Sequence, residues 1–382
     1  MEGEARRPPA CVSKVLDDDD LLTEIIVRVG FPTTLVRAAC VCKRWLSHAS
    51  DRAFLCRFRE LHPPTLLGFY IVEWGYPAAA RFFPILPQPP ELAAVVHRAN
   101  FSEGLPFSKK EGDTMVGCSN GSVFTRRLNF TSCGNFDLDT YELGMAVLPG
   151  LHLRMPSLYS WAHLKKEDED GSSYFYVTVE ALDTMVPMLN VYILGNGDDA
   201  WHKHLTLASD LLWRPSSPKG VLVDNKIYVA AYNAILVLDL TSSILSTIQL
   251  PHGVGFGGAT VLSRADDGSV LYLIHIKELQ LQIWLHNGDN WLLVDTICLS
   301  EMCTNFPEDE LTTCIRINHV GDYNEYVFLK MDQYALYLDV KCRTLCKVCE
   351  MTADEYQLGD IYPFMMSWPP IFPTLSPARD AT

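Results

Sequence analysis

Apolar positions in the first sixty residues recur every three or four places. Leu21, Leu22, Ile25, Ile26 and Val29 share one side of a helical wheel, while Thr23, Glu24 and Arg28 fall outside it, which predicts an amphipathic helix of about two turns. Asp17 to Asp20 precede it, where carboxylates cap free amides and meet the positive end of the helix dipole. Gly30-Phe31-Pro32 ends it, because a residue before proline is steered away from helical geometry. Thr33 or Thr34 is then expected to cap a second helix, LVRAACVCKRWL. Leu35, Val36, Ala39, Cys40, Cys42 and Leu46 cover one side of it, and Ala38, Val41 and Trp45 much of another. A helix apolar on nearly every side must be covered nearly all round, more than three short helices can do, so a partner or the rest of the chain is implied. Ser50 or Asp51 heads a third helix, whose Phe54, Leu55, Phe58 and Leu61 face the same small core while Arg52, Arg57 and Arg59 stay solvated.

Beyond Leu61 the period changes from helical to alternating. Pro63, Pro64, Pro77, Pro84, Pro87, Pro89 and Pro90 break helices, and short runs rich in β-branched and aromatic residues take over. The clearest strands are IYVAAY (227–232), ILVLDL (235–240), VLYLIHI (270–276), LQIWLH (281–286), YVFLKM (326–331) and ALYLDV (335–340). Two motifs recur among them. Asp137, Asp239 and Asp339 each sit between apolar residues at a strand end, spaced about 100 residues apart, twice a period near 50. Between them, VYILGNGDDAW (191–201) and LQIWLHNGDNW (281–291) each lead a strand into an Asn-Gly-Asp turn and a tryptophan, with Asn-Gly suggesting type I′ hairpins. The interleaved landmarks mark five sheet units, and residues 66–100 leave room for a sixth. Such units bury both faces by stacking on one another, and a propeller of about six blades is the expected arrangement.

Composition narrows the function. The chain is 48% hydrophobic and 20% charged, with a net charge of −15; this is a globular composition that disfavours a broad grip on nucleic acid or anionic membrane. No apolar stretch approaches the length of a membrane span, and the N-terminal residues lack a signal-peptide core, so an intracellular protein, in cytoplasm or nucleus, with its twelve cysteines reduced is expected. Candidate chemistry is sparse. His202 and His204 alternate along a strand with no further ligand tied to them, and Cys342, Cys346 and Cys349 lack a second ligand pair and read as buried or edge thiols. Gly253 to Gly258 lead into ATVLS, a blade turn and not a phosphate-binding helix start. Lys165 to Gly171 read as a solvated loop. No cofactor, metal or catalytic constellation is expected.

The run from Asp20 to Ile71, DLLTEIIVRVGFPTTLVRAACVCKRWLSHASDRAFLCRFRELHPPTLLGFYI, resembles the F-box of plant F-box proteins, whose helices end at a V-C-K-x-W segment. The later GVLVDNKIYV and IYPFMMSWPPIFP resemble, more diffusely, the F-box-associated β-domains of plants, and Gly257-Gly258, Tyr272 and Trp284 resemble kelch blades only faintly. The fold class implied is an α+β multidomain chain: a tail (1–14), a three-helix F-box (15–62), an all-β, propeller-like recognition domain (66–374) and a second tail (375–382). The resemblance implies docking on a Skp-type adaptor, and through it cullin and RING subunits, by Leu21, Leu22, Ile25, Ile26, Leu35, Val36, Val41, Cys42 and Trp45. It implies a non-catalytic substrate-recognition subunit of a Skp–cullin–F-box ubiquitin ligase, with an unidentified target protein held by the β-domain. A small-ligand, carbohydrate-binding or enzymatic propeller with a vestigial F-box is the alternative. Asp17-Asp18 stand where the family has Leu-Pro, and Gly30 where it has proline; a weaker adaptor contact would follow.

Overall fold

A computed structural model describes residues 10–62, 65–73, 80–85, scattered positions from 90 to 96, most of 113–366 apart from several connecting segments, and residues 370 and 372. The chain divides into two compact units, one of Met1–Leu67, Ile85–Ala99 and Phe364–Thr382, the other of Gly68–Pro84 and Asn100–Pro363.

Among the described residues the first unit opens with five helices: α1 (Ala10–Asp17), α2 (Asp19–Ile26), α3 (Pro32–Ala39), α4 (Lys43–Ala49) and α5 (Arg52–Leu61). Helix α1 begins inside the segment read as a tail. Asp18 caps α2 by accepting the Leu21 amide at 3.0 Å, and Asp51 caps α5 by accepting the Phe54 amide at 2.9 Å. Helix α3 is entered differently from expectation: Phe31 is the extended residue before it and Pro32 occupies its first turn, where a missing N–H costs nothing. Thr33 and Thr34 are thus inside the helix and cap nothing.

The expected second helix is two. Cys42 adopts an extended backbone, with φ −163° and ψ 168°, and separates α3 from α4. In an unbroken helix Trp45 would point roughly 120° away from Ala39. The bend brings Trp45, Leu46 and Ala49 onto the same core as Leu35 and Ala39. That core, completed by Leu22, Ile26, Val27, Phe54 and Phe58, is dry. Leu61, expected to share it, is exposed.

Among the described residues, twenty-three strands follow. Two come first, β1 (Leu66–Glu73) and β2 (Ala80–Pro84). Five four-stranded antiparallel blades are then built in chain order. They comprise β3 (Asp113–Ser119), β4 (Ser122–Phe130), β5 (Asn135–Glu142) and β6 (Leu151–Arg154); and β7 (Leu158–Asp168), β8 (Gly171–Glu180), β9 (Met188–Leu194) and β10 (His202–Ala208). The third holds β11 (Val221–Val223), β12 (Lys226–Ala230), β13 (Ala234–Asp239) and β14 (Ile244–Gln249), and the fourth β15 (Thr260–Arg264), β16 (Leu271–Lys277), β17 (Gln280–Asn287) and β18 (Asn290–Cys298). The fifth is β19 (Ile315–Val320), β20 (Tyr326–Met331), β21 (Tyr334–Asp339) and β22 (Thr344–Glu350), and β23 (Leu358–Met365) ends the series.

The remaining sheet has three strands, in the order β2-β1-β23, so it joins the two ends of the domain. Its neighbours are the last and first blades. Phe69 of β1 packs on Phe328 of β20 with ring centroids 4.8 Å apart, and Asn318 of β19 accepts the Ile361 amide at 2.7 Å. On the other side Tyr70 of β1 lies near Cys118 of β3. The ring closes through these contacts. Where about six blades were expected, the described residues form five four-stranded blades and one three-stranded sheet.

Core residues lie between blades. Phe175, Val177, Leu189 and Val191 of the second pack against Leu222, Ile227, Val229 and Leu236 of the third. The fourth and fifth meet through Ile274, Ile276 and Ile283 against Ile317, Leu329 and Leu336. A middle strand therefore has both faces covered: β13 is buried at five successive positions, whereas the outer β14 has none buried. All six runs singled out by composition are second or third strands.

The recurring motifs have structural reasons. Asp239 accepts the amides of Thr241 and Ser242, both at 2.9 Å, and Asp339 accepts that of Cys342 at 2.6 Å, closing the turns between third and fourth strands. The tryptophans clasp the preceding blade: Trp201 donates its indole N–H to the Pro149 carbonyl at 2.7 Å, and Trp291 to the Gln249 carbonyl at 2.8 Å. Arg343 of the fifth blade binds both oxygens of Asp295 in β18, at 2.8 and 2.7 Å. Expected type I′ geometry is absent at Asn196-Gly197, where only the glycine has positive φ, within a Gly195–Asp198 turn. A two-residue turn with both φ positive occurs instead at Glu278-Leu279. Lys165 to Asp168 belong to β7 and pair with β8 as far as Asp168 opposite Gly171, so this segment is mostly strand and not loop.

Candidate functional site

Three polar clasps fix the helical unit. Arg44 of α4 donates to the Asp19 carboxylate at 2.7 Å from Nε and to the carbonyls of Leu16 and Asp17 at 2.6 and 2.8 Å. His48 Nε2 lies 2.9 Å from the same carboxylate. The Arg44 hydrogen bond, and after it that of His48, holds the Asp19 carboxyl below its ordinary range. Arg57 of α5 pairs with Glu24 of α2, which also meets Arg28 at 2.9 Å; this lowers Glu24 and ties α5 to α2. His62 then approaches the Val27 carbonyl at 2.9 Å and packs on Phe58 with ring centroids 4.6 Å apart.

The acidic run thus has defined work: Asp18 caps, Asp19 holds α4, and Asp17 offers its carbonyl to Arg44. Gly30 lies in open space, with no atom within 4 Å of where a Cβ would stand.

The nine residues singled out for adaptor contact divide sharply. Leu22, Ile26 and Leu35 are at most 1% exposed and form the module's own core: burying them already satisfies the amphipathic pattern that drew attention to them. Trp45 is half-buried and packs on that core, and Val36 is half-buried. Leu21, Ile25, Val41 and Cys42 face solvent, with Leu21 46%, Ile25 43% and Val41 62% exposed. Leu21 and Ile25 are one turn apart on α2 and share a face; Val41 sits at the bend between α3 and α4. Of the ten large apolar side chains found exposed among the described residues, five fall between Val15 and Leu61. A module of that size showing half of them has apolar surface to offer a partner.

The blades carry little chemistry. Among the described residues no group of three His, Cys, Asp or Glu could hold a metal, and no helix is long and apolar enough to cross a membrane. His202 and His204 are exposed on β10; His204 Nε2 lies 3.2 Å from the Leu240 carbonyl. Cys342 and Cys346 are exposed and Cys349 half-buried along the outer edge of the fifth blade. Burial pushes the Cys118 thiol up, and the Tyr337 hydroxyl is pushed up to about 12, chiefly by burial. The Gly253–Gly258 segment connects β14 to β15.

A small helical module with exposed apolar side chains, followed by a closed ring of sheets, defines an F-box protein with a β-propeller. The F-box domain matches residues 18–57. A second family match, described as F-box protein AT5G49610-like, beta-propeller, spans residues 114–372, and the chain belongs to that family. This pairing of domains fits a substrate-recognition subunit of an F-box ubiquitin ligase and suggests a non-catalytic part in it. No curated protein sequence matches the chain significantly. Solved structures with some likeness include a family 117 glycoside hydrolase of the marine bacterium Zobellia galactanivorans (11% identity, 49% of this chain and 69% of that one, TM-score 0.30). Another is AztD from Citrobacter koseri (11% identity, 78% and 98%, TM-score 0.34). At such TM-scores neither bears on function.

Proposed function

We propose that this chain is the substrate-recognition subunit of a Skp–cullin–F-box E3 ubiquitin ligase. Its F-box docks a Skp-type adaptor, which brings cullin and RING subunits, and its propeller holds a target protein. The supporting observation is the set Leu21, Ile25 and Val41, large apolar side chains left in solvent by a module whose core is already complete. The chain contributes proximity: holding the target beside the ligase turns ubiquitin transfer into an effectively intramolecular step, while the bond-making belongs to the partners. The setting is intracellular, in cytoplasm or nucleus, and the polypeptide itself is not an enzyme.

Co-purification of the intact chain with a Skp-type adaptor tests this. Leu21→Asp with Ile25→Asp should reduce capture by about tenfold or more, as removal of central apolar contacts does, without changing the circular dichroism. Undiminished capture by that folded double variant would refute docking through this face.

A further inference from the structure

One member of the helical core comes from the far end of the chain. Phe372, half-buried, packs against the cluster of Leu22, Ile26, Leu35, Phe54 and Phe58. One residue beyond β23, the Met366 amide donates to the Thr65 carbonyl at 2.9 Å, just before β1 begins. Phe364–Thr382 accordingly falls in the same compact unit as Met1–Leu67.

We infer that Phe372 is a structural strap of the F-box, a residue from beyond β23 that completes the module's core and positions the docking helices. A module of five short helices holds few buried side chains, so one added aromatic ring is a large share of what it has. Leu22 and Ile26, members of the cluster on which Phe372 packs, alternate on α2 with the exposed Leu21 and Ile25. Loosening of this core therefore loosens the exposed face. The strap thus makes the F-box depend on the last residues of the chain, outside the 18–57 stretch that defines the domain by sequence.

The docking consequence rests on the proposed adaptor binding; the strap itself does not. The test uses the full chain with Phe372→Ala and Phe372→Leu, reading amide hydrogen exchange and capture of a Skp-type adaptor. Phe372→Ala should speed exchange in α2, α3 and α5 by about tenfold with β12, β13, β16 and β20 unchanged, and weaken adaptor capture several-fold. Phe372→Leu should restore both. Wild-type exchange in the helices of Phe372→Ala, or equal acceleration in helices and strands, would overturn the strap. Faster helix exchange in a chain whose wild-type form captures no adaptor upholds the strap and sinks the docking reading instead.

Discussion

Arg44 of α4 donates to the Asp19 carboxylate at 2.7 Å while its remaining nitrogens take the carbonyls of Leu16 and Asp17. A charged clasp thus ties the start of α2 to α4. This clasp makes the helical module sensitive to acid. Asp19 is held below its ordinary value of 3.8, first by the Arg44 hydrogen bond and then by that of His48. The stabilisation is fully present above the unfolded value and is lost as the pH falls through the lowered folded value, because the unfolded chain takes up its proton first. Glu24, lowered by Arg57, adds in the same direction. Far-ultraviolet ellipticity followed below about pH 4 should show the helices melting in the wild type, with a shallower acid dependence in Asp19→Asn.

Adjacent leucines on α2 should behave oppositely. Leu22 is 0% exposed and Leu21 46% exposed. Leu22→Ala should destabilise the module by roughly 2–5 kcal/mol, the range for large-to-small changes in a packed core. Leu21→Ala should leave stability within about 0.5 kcal/mol, as surface changes do. Chemical denaturation checks the first pair of values, and adaptor capture should fall for Leu21→Asp at full helicity.

The fourth blade has its own response to pH. His275 is buried opposite Thr260, whose hydroxyl donates to the Gly255 carbonyl at 2.8 Å and so accepts from His275 Nδ1 at 2.8 Å. Burial lowers its pKa, Lys277 acts in the same direction, and the Ala259 backbone opposes both. Since the folded value lies below the ordinary 6.5, protonation favours the unfolded chain. The propeller should be at full stability above about pH 6.5 and lose it as the pH falls from there toward the folded value. The thermal midpoint of wild type should drop across that window more steeply than that of His275→Gln.

Legibility in the sequence followed burial. Runs such as YVFLKM were visible because a strand between two neighbours is apolar on both faces; β20 spans the residues expected, 326–331. Asp239, Asp339, Trp201 and Trp291 were visible as a period because each closes a turn or clasps a blade, whereas Asp137 lies within β5 and closes none. What escaped was set by backbone geometry or by distant partners. Cys42 breaks the second helix with no proline or glycine to announce it. Glu278-Leu279 adopt positive φ without the usual residues, at a turn whose Leu279 carbonyl accepts the Leu299 amide at 2.8 Å. The closing sheet pairs β1 with β23, nearly three hundred residues away, and Phe372 joins a core whose other members all precede it by still more. Periodicity on α2 also could not rank Leu21 against Leu22, since both fall on the apolar arc and only packing tells the core residue from the one left for a partner.

The inter-blade clasps offer a last quantitative contrast. Trp201 and Trp291 occupy matching places at the start of a fourth strand, and each donates an indole N–H to a carbonyl of the preceding blade. Phenylalanine keeps most of the ring and removes the donor. The Trp201 bond to Pro149 is partly buried, so Trp201→Phe should cost about 1 kcal/mol, the usual net worth of such a bond. The Trp291 bond to Gln249 is exposed to solvent, where water replaces the lost donor, and Trp291→Phe should cost less than half of that. Alanine should separate them differently. Trp291 also packs with Ile248, Leu250 and Trp284 against the core between the third and fourth blades, whereas Trp201 has an edge-on contact with Tyr176 at 6.3 Å. Urea midpoints of the four single variants, with unchanged slopes, check this ordering. A Trp291→Phe variant less stable than Trp201→Phe would show that solvent does not satisfy the Gln249 carbonyl, and that the outer edge of these blades is drier than its exposure implies.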